Sequence, residues 1–163
     1  MRVGFSINTL DESFRWDMDN AVSIVRRLKA MQILHDEGIR TTCFISPIFP
    51  GLTDVERIID RVKGQCNLIW LENLNLRGDY RTVVLSYIRY KYPDLVELYD
   101  DMYQKKDNSY WENLDRKISV FTSEQNLSYV RNDDSFAHSF DAPMTVVNFF
   151  YHEKIKKSSK KDA

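Results

Sequence analysis

Glu72, Asn73, Asn75 and Arg77 fall in and just after an otherwise apolar run, Asn67 to Leu74. A buried polar group without a partner costs about 1–3 kcal/mol. Four such residues at one place therefore point to a lined cavity, with a structural Glu72–Arg77 ion pair as the alternative. Ser6 and Asn8 close a second apolar run, where Asn8-Thr9-Leu10-Asp11 is also good turn chemistry. Ser46-Pro47-Ile48 ends a third, and reads first as a buried strand running into a proline turn. Arg26 and Arg27 sit side by side on a helical stretch and so point to different faces. At most one of them can fork onto a carboxylate, and for either the other reading is a solvated helix charge.

The two cysteines, Cys43 and Cys66, are too few for a disulfide framework. Iron–sulfur clusters take several thiolates at once, which this chain does not supply. His35, His138 and His152 have no ligand-like spacing with a cysteine or with each other, so no metal site is expected. His35, near a helix C-terminus, gains from the helix dipole instead. Lys154, Lys156, Lys157, Lys160 and Lys161 could touch a phosphate backbone, or form a solvated tail.

The elements that must position these groups follow from patterning. The chain has 163 residues, 43% apolar and 29% charged, with a net charge of -1, which fits one globular domain rather than disorder. The near-neutral balance argues against a surface that is a nucleic-acid field throughout. No apolar run reaches the roughly 18 residues of a membrane span. Met1 to Asn8 is neither a signal peptide nor a leader, so a reducing cytoplasm is the expected compartment.

Val3 to Asn8, Thr41 to Ile48 and Asn67 to Leu74 read as strands. Between them, Asn20 to Glu37 is helical, with Ile24, Leu28, Met31 and Leu34 on one face and Gly38 as a left-handed C-terminal cap. A short helix to Lys63 opens with a Thr53–Glu56 capping box, and a third runs from Asp79 to Tyr92. Alternation of this kind implies a parallel sheet with its working residues at the C-terminal strand ends. Beyond Pro93, Asp94 to Gln104 and Ser109 to Gln125 are helical, the second opening with a Ser109–Glu112 capping box. Leu127 to Val130 is a short strand, and Met144 to Tyr151 is apolar and aromatic. The expected organisation is three β/α units over 1–92, an accessory region over 93–153 that packs on the sheet, and a basic tail over 154–163.

Three segments carry more than this generic pattern: Val3-Gly4-Phe5-Ser6-Ile7-Asn8-Thr9-Leu10-Asp11-Glu12, Phe44-Ile45-Ser46-Pro47-Ile48-Phe49-Pro50-Gly51-Leu52-Thr53-Asp54, and Ile69-Trp70-Leu71-Glu72-Asn73-Leu74-Asn75-Leu76-Arg77-Gly78. In order and spacing they resemble the fourth, fifth and sixth strands of radical S-adenosylmethionine (SAM) proteins of the spore photoproduct lyase-like group. With Val147-Asn148-Phe149-Phe150-Tyr151-His152-Glu153, the chain is most similar to the mobile pair protein B branch of that group, across essentially its whole length.

The resemblance implies an α/β fold: the C-terminal half of a partial (β/α)6 radical SAM barrel with a mainly helical C-terminal extension. It implies S-adenosylmethionine and a 4Fe-4S cluster as cofactors. By position, Ser6 and Asn8 would meet the SAM ribose, Arg27 the methionine carboxylate, and Ser46, Pro47 and Ile48 the adenine. Glu72 and Asn73 would line the same pocket. The family's cluster loop, C-x3-C-x2-C, has no counterpart here, so the chain is expected to be inactive alone. It would need an N-terminal radical SAM half supplied separately. The rival expectation is a non-catalytic binding module, or a split-enzyme subunit, that contacts nucleic acid or a partner chain.

Overall fold

Asp11 begins the first helix. Its carboxylate accepts the backbone N–H groups of Ser13 and Phe14 at 2.7 and 3.2 Å, the arrangement that satisfies orphan donors at a helix start. The resulting helix α1, Glu12–Met18, was not expected from the apolar spacing. The expected helix from Asn20 begins later, as α2, Ile24–Asp36, because Asp19 turns the chain by accepting the N–H of Ala21. Glu12, on α1, caps α2 by accepting the Ile24 N–H at 2.6 Å. At the far end Gly38 has φ +75°, with Gly38 N–H on the His35 carbonyl and Ile39 N–H on that of Leu34, the paired closure expected of a glycine cap.

A computed structural model describes residues 1–132 and 145–152. The strands are β1 Arg2–Ser6, β2 Arg40–Ile48, β3 Leu68–Asn73, β4 Ser128–Arg131 and β5 Val146–Phe150. The remaining helices are α3 Val55–Val62, α4 Gly78–Lys91, α5 Val96–Tyr103 and α6 Ser109–Glu124. Both expected capping boxes shift by one residue. Asp54 caps α3 by accepting the Arg57 N–H, while Thr53 accepts the N–H of Phe49. Asn108 occupies the cap position of α6, and Asp107 accepts the Ser109 N–H.

All strand pairs are parallel, in the order β1-β2-β3-β5-β4. The region after Pro93 therefore enters the sheet itself, with β5 seated between β3 and β4. Pairing of β2 with β3 shifts between Ile45 and Ile48, around Pro47, which has no N–H to give a ladder.

Strand residues in register share a face of the sheet. One face carries Cys43, Ile45, Ile69, Leu71, Val147 and Phe149, in one cluster with buried residues of every helix, among them Phe14, Met31, Ile59, Ile88, Tyr99 and Ile118. The other face carries Leu68 and Val146, which cluster only with Trp70 and Val130. Among the described residues the helices thus cover one side of the sheet. In a doubly wound fold they would cover both. No helix among these residues is long and apolar enough to cross a membrane. His138 and the tail lysines lie outside the described residues.

Candidate functional site

The C-terminal ends of β2 and β3 reach the helix-free face side by side. Glu72 stands there at the centre of a three-residue relay. Its Oε2 accepts the Ser46 hydroxyl, and its Oε1 lies 2.6 Å from Nε2 of His152, just beyond β5. An ionised carboxylate only accepts, so the contact requires the proton on Nε2. A ring with its only proton there keeps Nδ1 as a lone-pair acceptor, and a ring with both nitrogens protonated donates from Nδ1 as well. The backbone N–H of His152 donates to Asn73 Oδ1 at 2.7 Å, which pins the chain after β5 to the tip of β3. Both relay side chains remain in reach of solvent, at 34% exposure for His152 and 29% for Glu72.

Aromatic rings floor the same face. Trp70 and Phe150 stack with centroids 5.2 Å apart, and the His152 and Phe150 rings sit T-shaped with centroids 5.1 Å apart. Phe44 pairs in register with Trp70 on one side and with Ser6 on the other. Chemically, this is a planar apolar floor beside a carboxylate, a hydroxyl and an oriented imidazole. It can stack a flat ring, bind vicinal hydroxyls, and take or return a proton at His152 Nδ1.

The residues expected from the sequence separate into two groups. Ser46 and Glu72 meet in the relay, and Asn73 holds the backbone of His152 beside it. Ser6 is exposed at the end of β1, and Asn8 donates to the Pro47 carbonyl at a long 3.5 Å, tying the loop after β1 to β2. Arg27 is occupied elsewhere: it donates to the Val22 carbonyl at 2.6 Å, the Ser6 carbonyl at 2.9 Å and Asp19 at 2.9 Å. It fastens β1 to the turn before α2 rather than facing a ligand. Ile48 has no exposed surface and belongs to the helix-side core, so its side chain is out of reach of the open face. The alternative Glu72–Arg77 ion pair does not form; Arg77 donates to Asn75 at 3.3 Å. Arg26 is exposed.

In the sequence His152 counted only as a histidine without ligand-like spacing and as part of the similar C-terminal segment, and the aromatic floor was not read as a site. His152 lies 80 residues from Glu72, and only the placement of β5 beside β3 joins them. The thiols behave differently from ligands. Burial holds both in the thiol form, pushing Cys66 up to about 12 and Cys43 well above its ordinary value. The Cys66 thiol donates to the Val62 carbonyl. Among the described residues no group of three or more His, Cys, Asp or Glu could hold a metal.

An uncharacterized protein of Methanocaldococcus jannaschii is 33% identical to this chain over 99 residues, which are 60% of this chain and 38% of that protein. The chain thus matches well under half of that relative's length. No family model matches the chain, and no solved structure does.

Proposed function

We propose that this chain carries the SAM-facing strands of a radical SAM enzyme of the spore photoproduct lyase-like group, as the C-terminal half of its partial (β/α)6 barrel. The observation that carries this reading is the one-sided sheet: parallel strands, helices on one face, and a polar, aromatic surface at the C-terminal ends of the other. In a barrel that inner surface is where catalytic groups collect. Ser6 and Asn8 at the tip of β1, and Ser46 and Glu72 across from them, offer the hydroxyl, amide and carboxylate that a ribose would need. Phe44 and Trp70 offer a planar wall to adenine. Arg27 drops out as a carboxylate clamp and becomes a positioning residue for β1.

The 4Fe-4S cluster does not fit this chain's own residues. Both thiols are sealed in the helix-side core in protonated form. The cluster ligands would come from an N-terminal barrel half, and no step on this chain is assigned to them. What its residues supply is binding and orientation of the nucleoside, and a proton acceptor at His152.

Calorimetry with SAM tests the proposal. Weak binding is expected, since the strongest anchor, an iron, is missing. Ser46→Ala and Glu72→Gln should each lower it by about tenfold, the worth of one charge-assisted hydrogen bond. Micromolar affinity untouched by both changes would remove the relay from the SAM site.

A further inference from the structure

Beside the relay, on the far side of Asn73 and His152, a cleft of about 770 Å³ opens between the end of β3, the end of β5 and the α5–α6 connection. Its volume is in the range of about 300–1,000 Å³ typical of small-molecule sites. Its charges are not balanced. Arg81, Lys106 and Arg131 line it, against the single carboxylate of Glu112. Arg131 is already paired with Asp115 at 3.2 Å. Among the described residues Arg81 donates only to the Tyr103 carbonyl, at 3.0 Å. Lys106, held at φ 61° in the turn before α6, has no hydrogen-bond or ion-pair partner among the described residues.

A second observation is independent of charge. Trp111 lines the cleft and is only 5% exposed, yet no described group accepts from its indole N–H. The residue is largely covered, but its N–H is not among the buried unpaired polar atoms; it keeps contact with solvent and stays open to an acceptor in the cleft. Asn108, also on the wall, makes no cap bond with its side chain. Donors therefore outnumber acceptors in a space far larger than one ion. Tyr103, Tyr151 and Trp111 supply apolar surface around them.

We propose that this cleft binds an organic phosphate of mononucleotide size, its phosphoryl oxygens taking Lys106, Arg81 and the Trp111 N–H. A phosphate monoester offers three strong acceptor oxygens against the two of a carboxylate, which suits a site this rich in donors. The site is separate from the SAM reading and shares with it only Asn73 and His152.

Titration calorimetry on the full chain, with AMP, adenosine, inorganic phosphate and citrate as probes, tests this. AMP should bind at least about tenfold more tightly than any of the other three. Lys106→Gln should weaken AMP about tenfold and Lys106→Glu further, since this exposed lysine bears no packing. Trp111→Phe, which keeps the ring and removes the donor, should cost several-fold, about the worth of one neutral hydrogen bond. The proposal is overturned if AMP binds no better than adenosine, if citrate outcompetes it, or if its affinity survives Lys106→Glu. Loss of AMP binding in Glu72→Gln alone would put the nucleotide on the relay and also overturn it. SAM affinity, measured on the same variants, judges the other reading separately.

Discussion

A Cβ built on Gly4 would fall 2.5 Å from Cε2 of Phe44, so the phenyl ring lies directly against the backbone of β1. The two residues belong to adjacent strands on the helix-free face, and the glycine is what lets that ring lie flat across the edge of the sheet. Gly4→Ala should push Phe44 from its seat and destabilise the chain by about 1–3 kcal/mol, the usual cost of overpacking. Urea unfolding measures this. The double change Gly4→Ala, Phe44→Leu should recover part of the loss; equal stability of Gly4→Ala and the parent would show that the ring moves freely.

The cysteines give a pH dependence with a defined sign. Cys66 has an ordinary value of 9.0 and is raised to about 12 by burial. Above pH 9 the unfolded chain sheds this proton first, so the folded state binds more protons and stability falls as pH rises. The loss continues until about pH 12. Cys66→Ala should flatten this part of the curve, apart from lost packing. At pH 8 neither thiol should react with a disulfide reagent until denaturant opens the core. Fast labelling of the native chain would contradict this burial.

Arg27 joins α2 to the end of β1 and to Asp19, with its side chain 11% exposed. Arg27→Ala should cost about 1–3 kcal/mol of stability, since it strands Asp19 and the Ser6 carbonyl. A double-mutant cycle with Asp19→Asn isolates the ion pair. If Arg27→Ala leaves stability intact while SAM affinity drops, the guanidinium belongs to the ligand after all.

Among the described residues β1 pairs only with β2, so one edge of the sheet presents strand backbone. Such edges invite pairing with another chain unless blunted. Light scattering should reveal concentration-dependent association, which, on the function proposed above, an N-terminal barrel half added in trans should suppress. Ser6→Lys, at an exposed edge position, should reduce association without unfolding. Ile7→Lys should unfold the chain instead, because Ile7 is 1% exposed. A concentration-independent monomer would mean that the edge is covered.

The α/β character, the three first strands and the polar groups at their ends were legible in the sequence, because apolar periodicity and turn residues act over a few neighbours. Glu72 and Asn73 were singled out this way, as polar groups where an apolar run should close, whereas Ser46 was singled out only through the resemblance. Helix α1 was not, since its start depends on Asp11 capping and on Glu12 reaching Ile24, two bonds that periodicity does not encode. The contacts of Arg27 likewise come from what surrounds it: a guanidinium on a helix carries no label saying whether it meets a ligand, a carbonyl or Asp19. His152 entered the site only because β5 inserts between β3 and β4. Strand order is decided by which faces bury against which helices. That long-range energetic choice places residues 80 apart within one hydrogen bond, and no local pattern records it.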